Sequence, residues 1–343
     1  MRGRARRAAS VKFCGGVYRI SRGRALRQRG ILVPGHKKIL SMLFRAPSGR
    51  AFDTLLAWYF VTVWGSGFLA TKIGLQHAAP FTFLSVRFTF GLVFVLMIVL
   101  WTRPRWPAGP RELGHVAVAG LLMHAVHLGG SHYTQYLGMS AGVTALLLSA
   151  QPLLTAWISA RWLHEKLAPA QWAGIAVGLA GVALVVWHKI DVREATVGSL
   201  TAVTVSLAGV TAGTLYQRRY CPRVDLRAAT LIQFVVTLAV LGPLALTVES
   251  GEVRWSWALI GAILFLVIGA SILAVNALHL LMRRGEATRV ASLIYLTPIF
   301  AVVLEALMFG VIPSALTLAG VAVTCAGVAL VCWQPRVAGA PAR

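Results

Sequence analysis

The 343 residues are 57% hydrophobic and only 13% charged, with a mean hydropathy of +0.73, which excludes a soluble globular domain and describes a chain that crosses a membrane many times. The formal charge of +23 would suit a nucleic-acid binder, but Met1 to Arg50 hold fourteen of the 33 Lys and Arg residues and no Asp or Glu. The excess is therefore local, and no nucleic-acid partner is expected.

The chain opens with this basic tail, residues 1–51. It reads either as a segment without fixed structure or as sequence upstream of the true start, since Met42 opens "MLFRAPSGRAFDTLLAWYF", a short basic leader running into an apolar helix. Taking roughly 20 apolar residues per crossing, ten spans follow, near 54–74, 80–101, 113–135, 140–160, 169–188, 196–217, 227–248, 256–280, 287–309 and 314–333, with a C-terminal tail at 334–343. Arg103, Arg105, Arg111, Arg161, Lys166, Arg218, Arg219, Arg223, Arg227, Arg283, Arg284 and Arg289 all fall on one side of this arrangement. Lys72, Lys189, Arg193 and Arg254 fall on the other. The bias sets both termini in the cytoplasm, because basic loops stay inside.

"AGIAVGLAGVALVVW" at 173–187 and "AGVAVTCAGVALVCW" at 319–333 match at eleven of fifteen positions, at an offset of 146. The same offset, without gaps, lays Pro152 on Pro298, Phe88 on Phe234, Gly67 on Gly213 and Lys72 on Arg218. A five-span unit has been doubled, as 52–190 and 191–333. Five being odd, the second copy enters the membrane from the opposite face, so the fold expected is all-α, ten transmembrane helices in two inverted five-helix repeats. In that plan the site lies near the midplane, where the repeats meet. Pro152 and Pro298 lie at equivalent depth in the fourth and ninth spans and each would free a carbonyl, at Leu148 and Ile294. Such backbone is tolerated in a membrane only beside protein or a water-lined cavity. A packing kink and a pathway wall both satisfy it.

These stretches resemble the EamA-type ten-helix exporters of the drug/metabolite transporter superfamily. The likeness is carried by "WGSGFLATKIGL" (64–75), "PFTFLSVRF" (80–88), "YLGMSAGVTALLLSAQPLLTA" (136–156), "HEKL" followed by "QWAGIAVGLAGVAL", and "RRGEATRVASLIYLTPIFAVVLEALMFG" (283–310). It implies a transporter of the plasma membrane, not an enzyme, with a small-molecule substrate, the lipid bilayer as its setting and no cofactor. Amino acids, metabolites, nucleotide sugars, sugar phosphates and drugs are all within its scope. Two features depart from the pattern: Val311 stands where an acid often follows the ninth span, and the first span lacks the membrane glutamate on which small multidrug members rely.

Polar residues inside apolar spans are the site candidates, because a charge at the bilayer centre costs at least about 2.5–3.5 kcal/mol. Arg87 lies seven residues into the second span. It could meet a substrate carboxylate, orient the fold, or snorkel to the interface. Its equivalent in the second repeat is Gln233. Glu305, deep in the ninth span, must be protonated, paired with Arg87 or open to water. A functional role would suit proton coupling, and a lipid-interface position is the alternative. His124 and His127 share a helix face and are open to proton relay or to packing; a metal site lacks a third ligand in register. Trp64, Ser66, Gln151, Asn276 and Tyr295 complete the candidate pathway lining. The glycines of "GIAVGLAG" read as a close-packing device, which sets the fifth and tenth helices outside the pathway. Proton coupling and a homodimer both stay open. A remote alternative, an intramembrane enzyme or a lipid-headgroup protein, lacks any recognisable nucleophile, metal cluster or acid pair.

Overall fold

The structure, a computed structural model, describes residues 10–13, 16–19, 50–162, 167–191, 195–274, 277, 280–281 and 296–332. Within the tail, two short strands, β1 (Ser10–Phe13) and β2 (Gly16–Arg19), form an antiparallel hairpin. Among the described residues the other regular elements are helices. Among the described residues nine helices are long and apolar enough to cross a membrane: Phe52–Leu75, Pro80–Thr102, Pro110–Tyr136, Ala141–Arg161, Pro169–His188, Val197–Tyr220, Leu226–Thr247, Trp257–Ala274 and Ala315–Cys332. They answer to the first eight and the tenth of the expected spans. A shorter apolar helix, Thr297–Phe309, occupies the second half of the expected ninth, and residues 282–295 lie outside the described residues.

Local chemistry sets the boundaries. Pro80 and Pro110 open their helices, where the missing N–H and fixed φ cost nothing. Ser140, Thr196, Asp225 and Ser256 cap four more with side-chain oxygens, Thr196 and Ser199 reciprocally. Gly310, at φ 67°, closes the ninth helix in the left-handed conformation that glycine adopts freely.

The helices pack in the pattern a two-fold axis demands. The second span lies against the seventh, the fourth against the ninth and the fifth against the tenth, while the first packs on the eighth as the third packs on the sixth. The fifth–tenth contact fixes the relative direction. A Cβ added to Gly174 would stand 2.7 Å from the Gly327 carbonyl oxygen, and one on Gly181 would stand 2.9 Å from that of Gly320. The partner number falls as the first rises, so the helices are antiparallel. Shifting by 146 turns Gly174 into Gly320 and Gly181 into Gly327, so each contact is the image of the other. Equivalent helices running in opposite directions place the axis across the helices, in the plane a membrane would occupy.

Two irregularities obey the same symmetry. The third span passes through a π-helical stretch at Leu121–Val126, and the eighth through one at Phe265–Ala274, which contains the equivalent positions 267–272. The fourth span is not one kinked helix. It ends at Leu148, turns at Ser149 and Ala150 and restarts at Gln151, while the ninth span's helix starts at Thr297, the residue equivalent to Gln151. Pro152 and Pro298 are therefore the second residues of new helices, where no hydrogen bond is lost. Ala150 takes up the turn by accepting from the Leu153 and Leu154 amides, at 3.0 and 3.2 Å.

Candidate functional site

Between the repeats lies a cavity of about 360 Å³, near the lower end of the range for small-molecule sites. Its described lining comes from the first, second, third, sixth, seventh and eighth spans, and symmetry-equivalent residues face each other across it: Trp64 and Val210, Thr71 and Gln217, Arg87 and Gln233, Phe88 and Phe234, His124 and Ala270. The cavity thus sits on the axis. Phe88 meets its own equivalent Phe234 edge to face, with ring centroids 4.9 Å apart, a preferred aromatic geometry. In each pair but two the first repeat supplies the more polar or bulkier group, so a near-symmetric shell has a strongly asymmetric interior.

Both π-helical stretches contribute, since π-bulges rotate side chains out of α register and recur at functional sites. In the third span the stretch and the turn after it present Met123, His124 and His127; in the eighth it presents Leu266, Ala270 and Ser271. The Ser271 hydroxyl donates to the Leu266 carbonyl five residues back, at 2.9 Å, and its oxygen receives Arg87 Nη2 at 3.4 Å. Arg87 also lies over the Phe88 ring, 5.9 Å from its centroid. The Ser206 hydroxyl donates to the His127 carbonyl at 2.6 Å, so at 2.9 Å from His127 Nδ1 it can only accept. His127 therefore carries its proton on Nδ1 and, when neutral, leaves Nε2 as an acceptor. His124 Nε2 reaches Gln233 Oε1 at 3.4 Å, and Gln233 Nε2 donates to Gln217 Oε1 at 3.0 Å.

Of the residues singled out from the sequence, Trp64, Arg87, His124, His127 and Gln233 line this cavity. Ser66 does not; its hydroxyl donates to the Thr62 carbonyl in its own helix, at 2.7 Å. Gln151 bonds Thr214 in the sixth span at 3.1 Å, and no described residue of the fourth span lines the cavity. Asn276 and Tyr295 lie outside the described residues. Glu305 is buried and pairs with Lys72, at 2.7 Å, instead of with Arg87. The same carboxylate accepts the Ala141 and Gly142 amides at 2.9 and 2.7 Å, capping the fourth span from the ninth.

Thr71, His132, Gln217, Phe88 and Phe234 line the cavity without having been singled out. The offset of 146 pairs Thr71 with Gln217 and Phe88 with Phe234, but none of these is the equivalent of a residue singled out, so the offset alone did not mark them; His132, buried with Nε2 3.4 Å from Thr71 Oγ1, has no partner of this kind on the described lining.

One face of the bundle is tied across the repeats. Glu249, after the seventh span, accepts the Phe81 and Thr82 amides and the Thr82 hydroxyl at 2.9, 2.8 and 2.7 Å, capping the second span. Beside it Arg254 donates its amide to the His77 carbonyl at 2.9 Å, Ala78 pairs with Val253 as an isolated bridge, and Ser256 meets His77 Nε2 at 3.1 Å. The Lys72–Glu305 pair lies on this face too. The equivalent loops of the opposite face, 103–110 and 223–228, carry no hydrogen-bonded strip of this kind among the described residues; there Asp225 turns to Arg227, at 2.9 Å.

A membrane bundle doubled by an inverted repeat, with a solute-sized cavity on its axis, defines the class of multi-pass transporters. The chain belongs to the EamA-like transporter family, whose profile matches twice, over residues 53–187 and 196–333. It is 26% identical to "Uncharacterized inner membrane transporter YedA" of Escherichia coli K12, over 74% of this chain and 81% of that one. It is 25% identical to "Probable amino-acid metabolite efflux pump" of Salmonella typhimurium LT2, over 80% of this chain and 93% of that one. One solved structure, 20% identical, superposes with a TM-score of 0.58 over 81% of this chain and 96% of its own, a likeness of fold.

Proposed function

We propose that this protein is a secondary transporter of the inner, plasma membrane, exporting small metabolites or amino-acid-like solutes by alternating access. In this reading all ten spans cross, both termini are cytoplasmic, and the two repeats rock about the cavity at their interface. The observation that carries it is the unequal bridging of the two faces: one is zipped by Glu249, Arg254 and the Lys72–Glu305 pair, while among the described residues the equivalent loops 103–110 and 223–228 carry no such strip and the repeats meet there through His115 and Tyr216, at 2.8 Å. Two repeats of like fold, locked at one face by a strip that the other lacks among the described residues, describe one end state of a rocking pair. With the basic loops inside, the locked face is the outer one. The name of the Salmonella relative favours the amino-acid side of this reading. Multidrug or sugar-phosphate exchange within the same family is the alternative.

The test is uptake into proteoliposomes of labelled amino acids, organic acids, nucleotide sugars and lipophilic cations, with and without a pH gradient. Saturable movement of at least one metabolite is expected, and stimulation by the gradient would establish proton coupling. A panel in which nothing moves would refute transport, and movement of lipophilic cations alone would favour the multidrug reading.

A further inference from the structure

The charge of the cavity lining goes further. Resting on the transport reading, we infer that the cavity selects organic anions, a single carboxylate on a flat apolar body, and turns away amines of the same shape.

Arg87 is the one fixed charge on the described lining, and among the described residues no Asp or Glu joins it there. Three described acids are committed elsewhere: Glu305 to Lys72 and the fourth span, Glu249 to the second span, Asp225 to Arg227. Arg87 has five N–H donors and one long hydrogen bond, 3.4 Å to Ser271, so most of its capacity faces the cavity. The histidines add to this in one direction only, since an imidazole is neutral or positive and never negative.

An apolar, aromatic cavity could instead hold a cation against its rings. Here two of the four lining Trp and Phe rings, Phe88 and Phe234, are already engaged. The Phe88 ring already lies under the Arg87 guanidinium, and Phe234 is engaged edge to face with both Phe88 and His124. An ammonium would share a confined space with a like charge and, on the described lining, no counter-ion. Specificity against amines thus arises from repulsion as well as from the missing partner. A zwitterion satisfies Arg87 but leaves its ammonium only neutral acceptors, such as His127 Nε2, and falls between the two. About 360 Å³ of cavity suits a one-ring acid.

The experiment compares 3-phenylpropionate, phenylalanine and 2-phenylethylamine, alike in ring and chain, by calorimetric binding to the purified full chain at pH 7 and by proteoliposome uptake. The acid is expected to bind at least about tenfold more tightly than the amine, with phenylalanine between them. Arg87→Gln should weaken acid binding at least about tenfold and Arg87→Lys should retain part of it, both eluting as the wild type does from a sizing column. Amine binding as tight as acid binding, failure of all three to bind, or unchanged acid binding in Arg87→Gln would overturn the inference. The comparison on the wild type stands even if the variants do not fold. Uptake of phenylalanine or the amine without the acid would reject anion selection and leave transport standing. Acid binding with no uptake of any solute in the wider panel would do the reverse.

Discussion

Glu305 shows what a residue can and cannot declare about itself. Its sequence position already demanded a partner, because an ionised carboxylate in hydrocarbon is expensive. The sequence offered Arg87 as that partner, beside protonation or access to water, and did not single out Lys72; the packing of the ninth helix against the first and fourth decides for Lys72. The carboxylate also replaces the absent hydrogen-bond partners of the fourth span's first turn, through the Ala141 and Gly142 amides. Glu305→Gln keeps an acceptor for these amides and strands the Lys72 ammonium. We expect a loss of about 3 kcal/mol, the range for breaking a buried pair, read as a lowered thermal unfolding midpoint in detergent. Lys72→Met/Glu305→Gln, which removes both charges, should recover part of it. An unchanged midpoint in Glu305→Gln would mean that the pair is not structural.

At the scale of elements, the glycine pattern was readable because its cause is local. Close helix approach needs small residues at helical spacing, and "GIAVGLAG" supplies them. A Cβ on Gly327 would fall inside contact distance of the Gly178 backbone, which cannot rotate away as a side chain could. Gly327→Ala should therefore part the fifth and tenth helices and cost about 1–3 kcal/mol, measured by thermal unfolding. Gly242→Ala, in the seventh span with nothing within 4 Å of its Cβ, should be neutral or slightly stabilising. Equal behaviour of the two would contradict the packing account. The π-helical stretches were not legible, for apolar runs such as "LLMHAV" and "FLVIGASILA" satisfy α and π geometry alike. The position of the break in the fourth span was half legible: Pro152 announced it, but whether a proline kinks a helix or begins a new one depends on the turn before it.

For the whole molecule, the offset of 146 was the most informative number in the chain. It gave the doubling, the inversion and, as the equivalent of Arg87, Gln233, which lines the cavity. What it could not give was the asymmetry laid over that frame: an acid latch on one face with no counterpart on the other among the described residues, and Trp, Arg and His in one repeat where the other has Val, Gln and Ala. Those differences have no periodic signal, and the proposed alternating access depends on them. Thr71 and Gln217 offer the most direct test. They are symmetry equivalents, both line the cavity, and they approach it from opposite faces. In a cysteine-free background in oriented vesicles, an impermeant thiol reagent should modify the Gln217→Cys protein from the cytoplasmic face and the Thr71→Cys protein from the opposite face, with saturating substrate changing the two rates in opposite senses. Labelling of both proteins from the same face, or rates that rise and fall together, would contradict two inverted halves working about a shared cavity.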